Sequence, residues 1–148
     1  MVRAMPGSPA LHNSDLVVGW HKQTPKWDEA TIEWWAQNVW HPDIEWRAIQ
    51  GAPDDVGWMK GRDRLRAYYA EWLELFDDIR HEVLDRYDVG DVVVLGFRVT
   101  ARSRSSDMPL ELVYAVVHEL LDGKLIRGRE YLSVDEALQA VGGSEAPA

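Results

Sequence analysis

The sequence predicts an α+β domain in which helices pack on one face of a curved antiparallel sheet, and three observations carry that prediction. Apolar residues recur at helical spacing as far as Phe76. They alternate at strand spacing from Ile79 to Leu132, and return to helical spacing only in a short closing segment. The implied order is helix, strand, helix, four strands, short helix, and segregation of helices from a strand meander is the mark of this class.

Each element has a local reason. Thr24 before Pro25 predicts a helix start, since threonine can accept from a free amide and proline is already set to helical φ. Ile32, Trp35, Ala36 and Val39 then recur at i, i+3, i+4 and i+7, and the stripe stops before His41 and Pro42. A short strand follows, with Ile44, Trp46 and Ala48 alternating against Glu45 and Arg47. Gln50 to Lys60, with two glycines and a proline, reads as a loop. A second helix opens near Gly61 and stripes Leu65, Tyr68, Tyr69, Trp72 and Phe76 on one side.

Four strands come next: Ile79 to Val89, Asp91 to Arg102, Leu110 to Leu120 and Leu125 to Leu132. Leu121-Asp122-Gly123-Lys124 resembles a three-residue hairpin loop. That register sets Tyr114 opposite Glu130, Val116 opposite Gly128 and His118 opposite Ile126, all on one face. A two-residue loop would shift the pairing by one residue and put His118 and Glu130 on opposite faces. Ser133, with Glu136 three residues on, predicts a capping box ahead of Ala137, Leu138 and Val141.

Composition bounds the function. The chain has 148 residues, enough for one self-sufficient core. Residues 15–141 are expected to form the domain, between flexible tails at 1–14 and 142–148. Sixteen Lys and Arg against twenty-five Asp and Glu leave a net charge of −9, which repels phosphate backbones and argues against nucleic acid. There is no cysteine, hence no thiolate ligand or thiol nucleophile. No run approaches a membrane span or a signal peptide, so the expectation is a cytoplasmic protein with no membrane partner. Phosphate loops, His-x-x-x-His pairs, nucleophile elbows and carboxylate clusters at metal spacing are missing, so neither a metal nor a cofactor is expected. Seven of the eight tryptophans fall between Trp20 and Trp58.

Several segments carry a family resemblance. His41-Pro42-Asp43-Ile44-Glu45-Trp46, Gly61-Arg62-Asp63, Gly90-Asp91-Val92-Val93-Val94, Asp122 to Ile126, Arg129-Glu130-Tyr131-Leu132 and Glu136-Ala137-Leu138 occur in an order and spacing similar to the SnoaL-like group of the NTF2-like superfamily, over roughly residues 27–142. The resemblance implies a cone, a curved antiparallel sheet wrapped on helices around a deep apolar pocket, commonly a homodimer through the sheet. It includes polyketide cyclases, ketosteroid isomerases, limonene epoxide hydrolase and proteins without catalytic activity, so fold does not settle function.

Carried over by position, the resemblance makes Glu130 the general acid/base, His118 its partner and Arg98 an anion or oxyanion stabiliser. A desolvated Glu130 could exchange protons near neutral pH; alternatively it is a surface residue paired with Arg127 or Arg129. His118 is either a neutral imidazole orienting Glu130 or a histidine satisfied at the sheet edge, and His81 competes for the same role. Arg98 has two readings as well. The wholly apolar odd positions of its strand, Val93 to Ala101, put it in water, whereas the resemblance turns it toward the pocket and the odd face toward a partner subunit. The expected orientation is the one the resemblance implies, with Arg98 toward the pocket. Trp46, Tyr68, Trp72, His81, Tyr114 and Trp35 are the expected substrate-binding residues, and part of the tryptophan cluster is the border or lid of the pocket.

The expected activity is cofactor-independent proton transfer on a small hydrophobic, oxygenated substrate, leading to cyclisation, isomerisation or dehydration. The alternatives are a non-catalytic binding or dimerisation module, a protein adaptor, and an epoxide hydrolase-like enzyme whose acid, arginine, acid trio would be Glu130, Arg98 and, incompletely, Thr100.

Overall fold

The computed structural model describes residues 12–142. The expected tails fall outside these residues except at their inner edges, and there the N-terminal boundary moves: helix α1 spans Asn13–Gln23. Then come β1 (Lys26–Trp27), α2 (Glu29–Asn38), β2 (Trp40–Arg47), β3 (Met59–Lys60), α3 (Arg62–Leu75), β4 (Phe76–Val89), β5 (Val92–Ser103), β6 (Pro109–Leu121), β7 (Lys124–Tyr131) and α4 (Val134–Ala140). The α+β class and the NTF2-like cone are as expected.

Local pattern does not reveal helix α1, because Gly19 interrupts its stripe and lowers its helix propensity. Tertiary contacts hold it. Val17, Val18, Trp20 and His21 are buried, and the fully buried Ser14 donates from both N and Oγ to Asp88, at 3.0 and 2.6 Å. Thr24 is accordingly the C-cap of α1, with Oγ1 donating to the Trp20 carbonyl at 2.9 Å. The N-cap of α2 is Asp28, which accepts from the Thr31 amide at 2.8 Å. Phe76 begins β4 instead of ending α3.

One sheet of seven strands runs in the order β1-β4-β5-β6-β7-β2-β3. It is mixed, not purely antiparallel, since β2 lies parallel to β7. Register shifts interrupt the β4–β5 ladder between Asp77 and Arg80 and between Val83 and Asp85, and such bulges add the twist that curls a sheet. Helices α1, α2 and α3 contribute to the main core on the concave side. The short α4 sits on the other face, over Val94, Ala115 and Val117. It packs there because Gly96 leaves room: a Cβ on Gly96 would come within 2.9 Å of the Val134 side chain.

Strand β5 decides the Arg98 question against the resemblance. Val93, Leu95, Phe97, Val99 and Ala101 are buried in the main core, so strict alternation sends Arg98 to the outer face. There it pairs with Glu82 at 3.0 Å and Glu111 at 2.8 Å. Thr100 shares that outward parity, so the acid, arginine, acid trio is not assembled.

The β6–β7 hairpin corrects the register while keeping its consequence. The loop is the two-residue turn Asp122-Gly123, both with positive φ, closed by Leu121 opposite Lys124. A bulge then leaves Ile126 unpaired and adds one residue, which restores the parity that the shorter loop removed. His118 therefore faces Gly128 and Val116 faces Glu130, on the same side of the sheet.

Candidate active site

The concave side of the sheet and the helices enclose two adjoining chambers. The outer is a cavity of about 50 Å³, and its walls include Trp72, Tyr68, Tyr114 and Glu130. The inner is smaller, about 20 Å³, room for one oxygen-sized group, and Trp27, Tyr69, His81 and Tyr114 border both. Trp35, Trp46 and His118 line the inner chamber.

Glu130 owes its position to a glycine two residues earlier. Gly128 pairs with Trp46 across the parallel β2–β7 ladder, and a Cβ on Gly128 would lie 2.1 Å from the indole. The ring therefore lies flat across Gly128, and Trp46 Nε1 donates to Glu130 Oε2 at 2.9 Å. Burial pushes the Glu130 carboxyl up to about 8. The Trp46 bond opposes that shift and the negative charge of Asp54 adds to it. At neutral pH the group is mostly the neutral acid, with a minor carboxylate fraction.

Three phenols surround it. Burial holds Tyr68, Tyr69 and Tyr114 above the ordinary tyrosine range, and Glu130 acts in the same direction on each, so all three stay protonated donors. The Tyr68 hydroxyl donates to Asp54 Oδ2 at 2.8 Å. Tyr69 and Tyr114 make no side-chain hydrogen bond among the described residues and border both chambers.

The Asp54 loop is held by its neighbour. Asp55 accepts from Arg47 Nε and Nη2, both at 3.2 Å, and from the Gly51 and Gly57 amides at 2.9 and 3.0 Å. The Arg47 guanidinium keeps its carboxyl well below the usual carboxylate range. Arg127 lies 4.0 Å over the Trp58 ring and Arg129 donates to Gln50 at 2.9 Å, fastening the loop to β7. Replacing Asp55 by Ala is expected to free Asp54 from Tyr68, to speed proteolytic cleavage between Gly51 and Trp58, and to raise KM more than it lowers kcat. Unchanged cleavage would show that the loop has other anchors.

The expected site residues are thus sorted by place. Glu130, Tyr68, Trp72, His81 and Tyr114 line the outer chamber; Trp46, Trp35 and His118 line the inner. Arg98 is outside both. His118 does not hydrogen-bond to Glu130: its Nδ1 lies 3.2 Å from the Val93 carbonyl, and Trp46 takes the orienting role expected of it. Trp35 Nε1 is committed to Thr24 Oγ1 at 2.9 Å. Local pattern does not mark Asp54, Tyr69, Trp27 or His21 as site residues. Asp54 sits in a loop whose glycines and proline signalled only a turn, and His21 in a helix that local pattern did not show. The Tyr68-Tyr69 pair on the apolar stripe of α3 was a usable signal for Tyr69. Among the described residues no cluster of His, Asp or Glu is placed to hold a metal ion, and no helix is long and apolar enough to cross a membrane.

Comparison with known proteins agrees with the fold. The model of the SnoaL-like domain family matches residues 13–128. No sequence match to a functionally curated protein is found. Among solved structures, a candidate SnoaL-like polyketide cyclase from Jannaschia sp. CCS1 superposes with TM-score 0.67 at 17% identity, over 87% of this chain and 90% of that one. A candidate isomerase from Bacillus subtilis gives 0.66 at 16%, over 88% and 94%. TerC, crystallised with polyporic acid, gives 0.66 at 17%, over 88% and 98%. At these identities the likeness is one of fold.

Proposed function

The chain belongs to the SnoaL-like domain family, and on that premise we propose that its cavity is the active site of a cofactor-independent enzyme. It moves a proton on a small, hydrophobic, oxygenated substrate, in a cyclisation, isomerisation or dehydration of the polyketide-cyclase type. The observation that carries this reading is Glu130: a single carboxyl in an aromatic cavity, raised to about 8 and ringed by protonated phenols.

The chemistry follows from that surrounding. A substrate carbonyl accepts a hydrogen bond from Tyr69 or Tyr114, which disperses charge developing on its oxygen. Glu130, neutral at pH 7, delivers its proton to the substrate, and the resulting carboxylate removes one from the adjacent carbon. Trp46 Nε1 steadies the carboxylate between the two steps. Among the described residues no Lys or Arg lines either chamber, and an uncharged substrate suits such walls. TerC, a fold neighbour crystallised with polyporic acid, supports a flat oxygenated ligand.

The pH dependence has a definite sign. If the acid form initiates the reaction, kcat/KM is flat below pH 8 and falls about tenfold per unit above it, as the raised carboxyl ionises. A rate that climbs through pH 8 instead would assign the first step to the carboxylate as base.

We further propose a homodimer through the outer sheet face, where Leu84, Tyr87 and Val113 are exposed. Sedimentation of Val113→Glu against wild type tests it, a monomer being the expected variant.

A further inference from the structure

Proton transfer at Glu130 leaves one group of buried side chains without a role. His21 from α1, His81 from β4 and His118 from β6 line the inner chamber, and the His21 ring centroid is 6.2 Å from each of the other two. His118 is satisfied by the Val93 carbonyl. His21 is not: both its ring nitrogens are buried without a hydrogen-bond partner among the described residues, as is Nδ1 of His81. Packing does not require nitrogen there. The His21 ring sits 4.8 Å from Trp35 and 4.7 Å from Phe97, centroid to centroid, an apolar nest that a phenyl ring would fill. Unpartnered buried nitrogens in such a nest cost free energy unless something entering the chamber meets them.

The surroundings define what enters. Burial and mutual repulsion hold the His21 imidazole neutral, so it offers one donor and one acceptor and no charge. That pattern suits a hydroxyl or a carbonyl oxygen. The walls are tryptophan, tyrosine and phenylalanine rings, which favour a flat aromatic body. The side chains shared by both chambers make a waist past which only the terminal oxygen of such a body would reach.

We propose that His21 and His81 form a second polar subsite, and that the ligand is an uncharged, elongated aromatic molecule with an oxygen at each end, one held at Glu130 and one in the inner chamber. The proposal rests on the preceding functional reading only for which end reacts.

Binding of 2-naphthol and of 2,6-dihydroxynaphthalene, followed by quenching of tryptophan emission, tests it. Wild type is expected to bind the two-oxygen probe about tenfold more tightly than the one-oxygen probe. His21→Phe should bring that ratio close to one while leaving 2-naphthol affinity unchanged, and Glu130→Gln should preserve it. Equal affinities in wild type overturn the subsite whatever the variants do. So does a ratio that survives both His21→Phe and His81→Phe, or one that Glu130→Gln alone removes. Should His21→Phe fail to fold, the wild-type ratio and His81→Phe decide. Loss of turnover in Glu130→Gln with equal probe affinities would sink the subsite and leave the acid/base reading intact; full turnover with the expected ratio would do the reverse.

Discussion

Glu130→Gln is expected to reduce turnover by about 10²- to 10⁴-fold, the usual contribution of a positioned acid/base, while ligand binding and fold persist. The amide keeps the shape of the carboxyl and still accepts from Trp46 Nε1, but carries no transferable proton. The same substitution should stabilise the protein in alkali. Because the folded carboxyl titrates near 8 and the unfolded one near 4.5, the unfolded chain ionises first. Wild-type stability then falls by up to about 1.4 kcal/mol per pH unit between those values.

The three buried histidines act oppositely. Burial holds His81 down at about 3 and His118 at about 4, with His21 also well below 6.5, so the unfolded chain takes up protons as pH drops below 6.5 and stability is lost there. From these four groups alone, stability peaks near pH 6.5. Glu130→Gln removes only the alkaline decline, which melting curves at pH 5 and pH 8.5 would read. A variant with at least a tenth of wild-type turnover would remove Glu130 from the chemistry.

Gly128→Ala should damage both the fold and the site. The new methyl would start 2.1 and 2.2 Å from two atoms of the Trp46 ring, and Trp46 is itself buried, so either the indole or β7 must move. Overpacking of this kind costs about 1–3 kcal/mol, and displacement of Nε1 leaves the Glu130 carboxyl without its side-chain donor. The titration of Glu130 should then rise further, since the bond that opposed the shift is lost. Urea midpoints, tryptophan emission and the pH–rate limb report these effects together. Gly96→Ala is the control. It crowds Val134 of α4 on the outer face, so it should lower stability and leave the limb near pH 8 in place. Should Gly128→Ala match wild type in all three measurements, the indole has room that the structure denies it.

The strand meander was readable because alternation is a local signal. Val93 to Ala101 announced a buried face, and that same alternation, taken alone, placed Arg98 outside. The resemblance to relatives pulled it inward, and the apolar odd positions needed no partner subunit to cover them, since α1 and the other helices do so. Tyr68 could be named from sequence because it sits on the apolar stripe of a regular helix, and Glu130 because the resemblance to relatives marks its position on the last strand. Asp54 could not, as its position depends on Asp55 gripping Arg47 across a loop. His21 was hidden by the weak stripe of α1, a helix held by Ser14 and Asp88 more than by its own propensity.

By itself the sequence determined the α+β class, the family and the exclusion of thiol chemistry, all of which rest on residue type, periodicity and order. Only the tertiary structure decided which groups meet. Trp46 instead of His118 reaches Glu130, because an indole can lie across Gly128 while His118 turns to Val93. A two-residue turn with a compensating bulge, and not a longer loop, keeps the shared face. Pairings between distant strands depend on such single-residue shifts, and local pattern does not encode them.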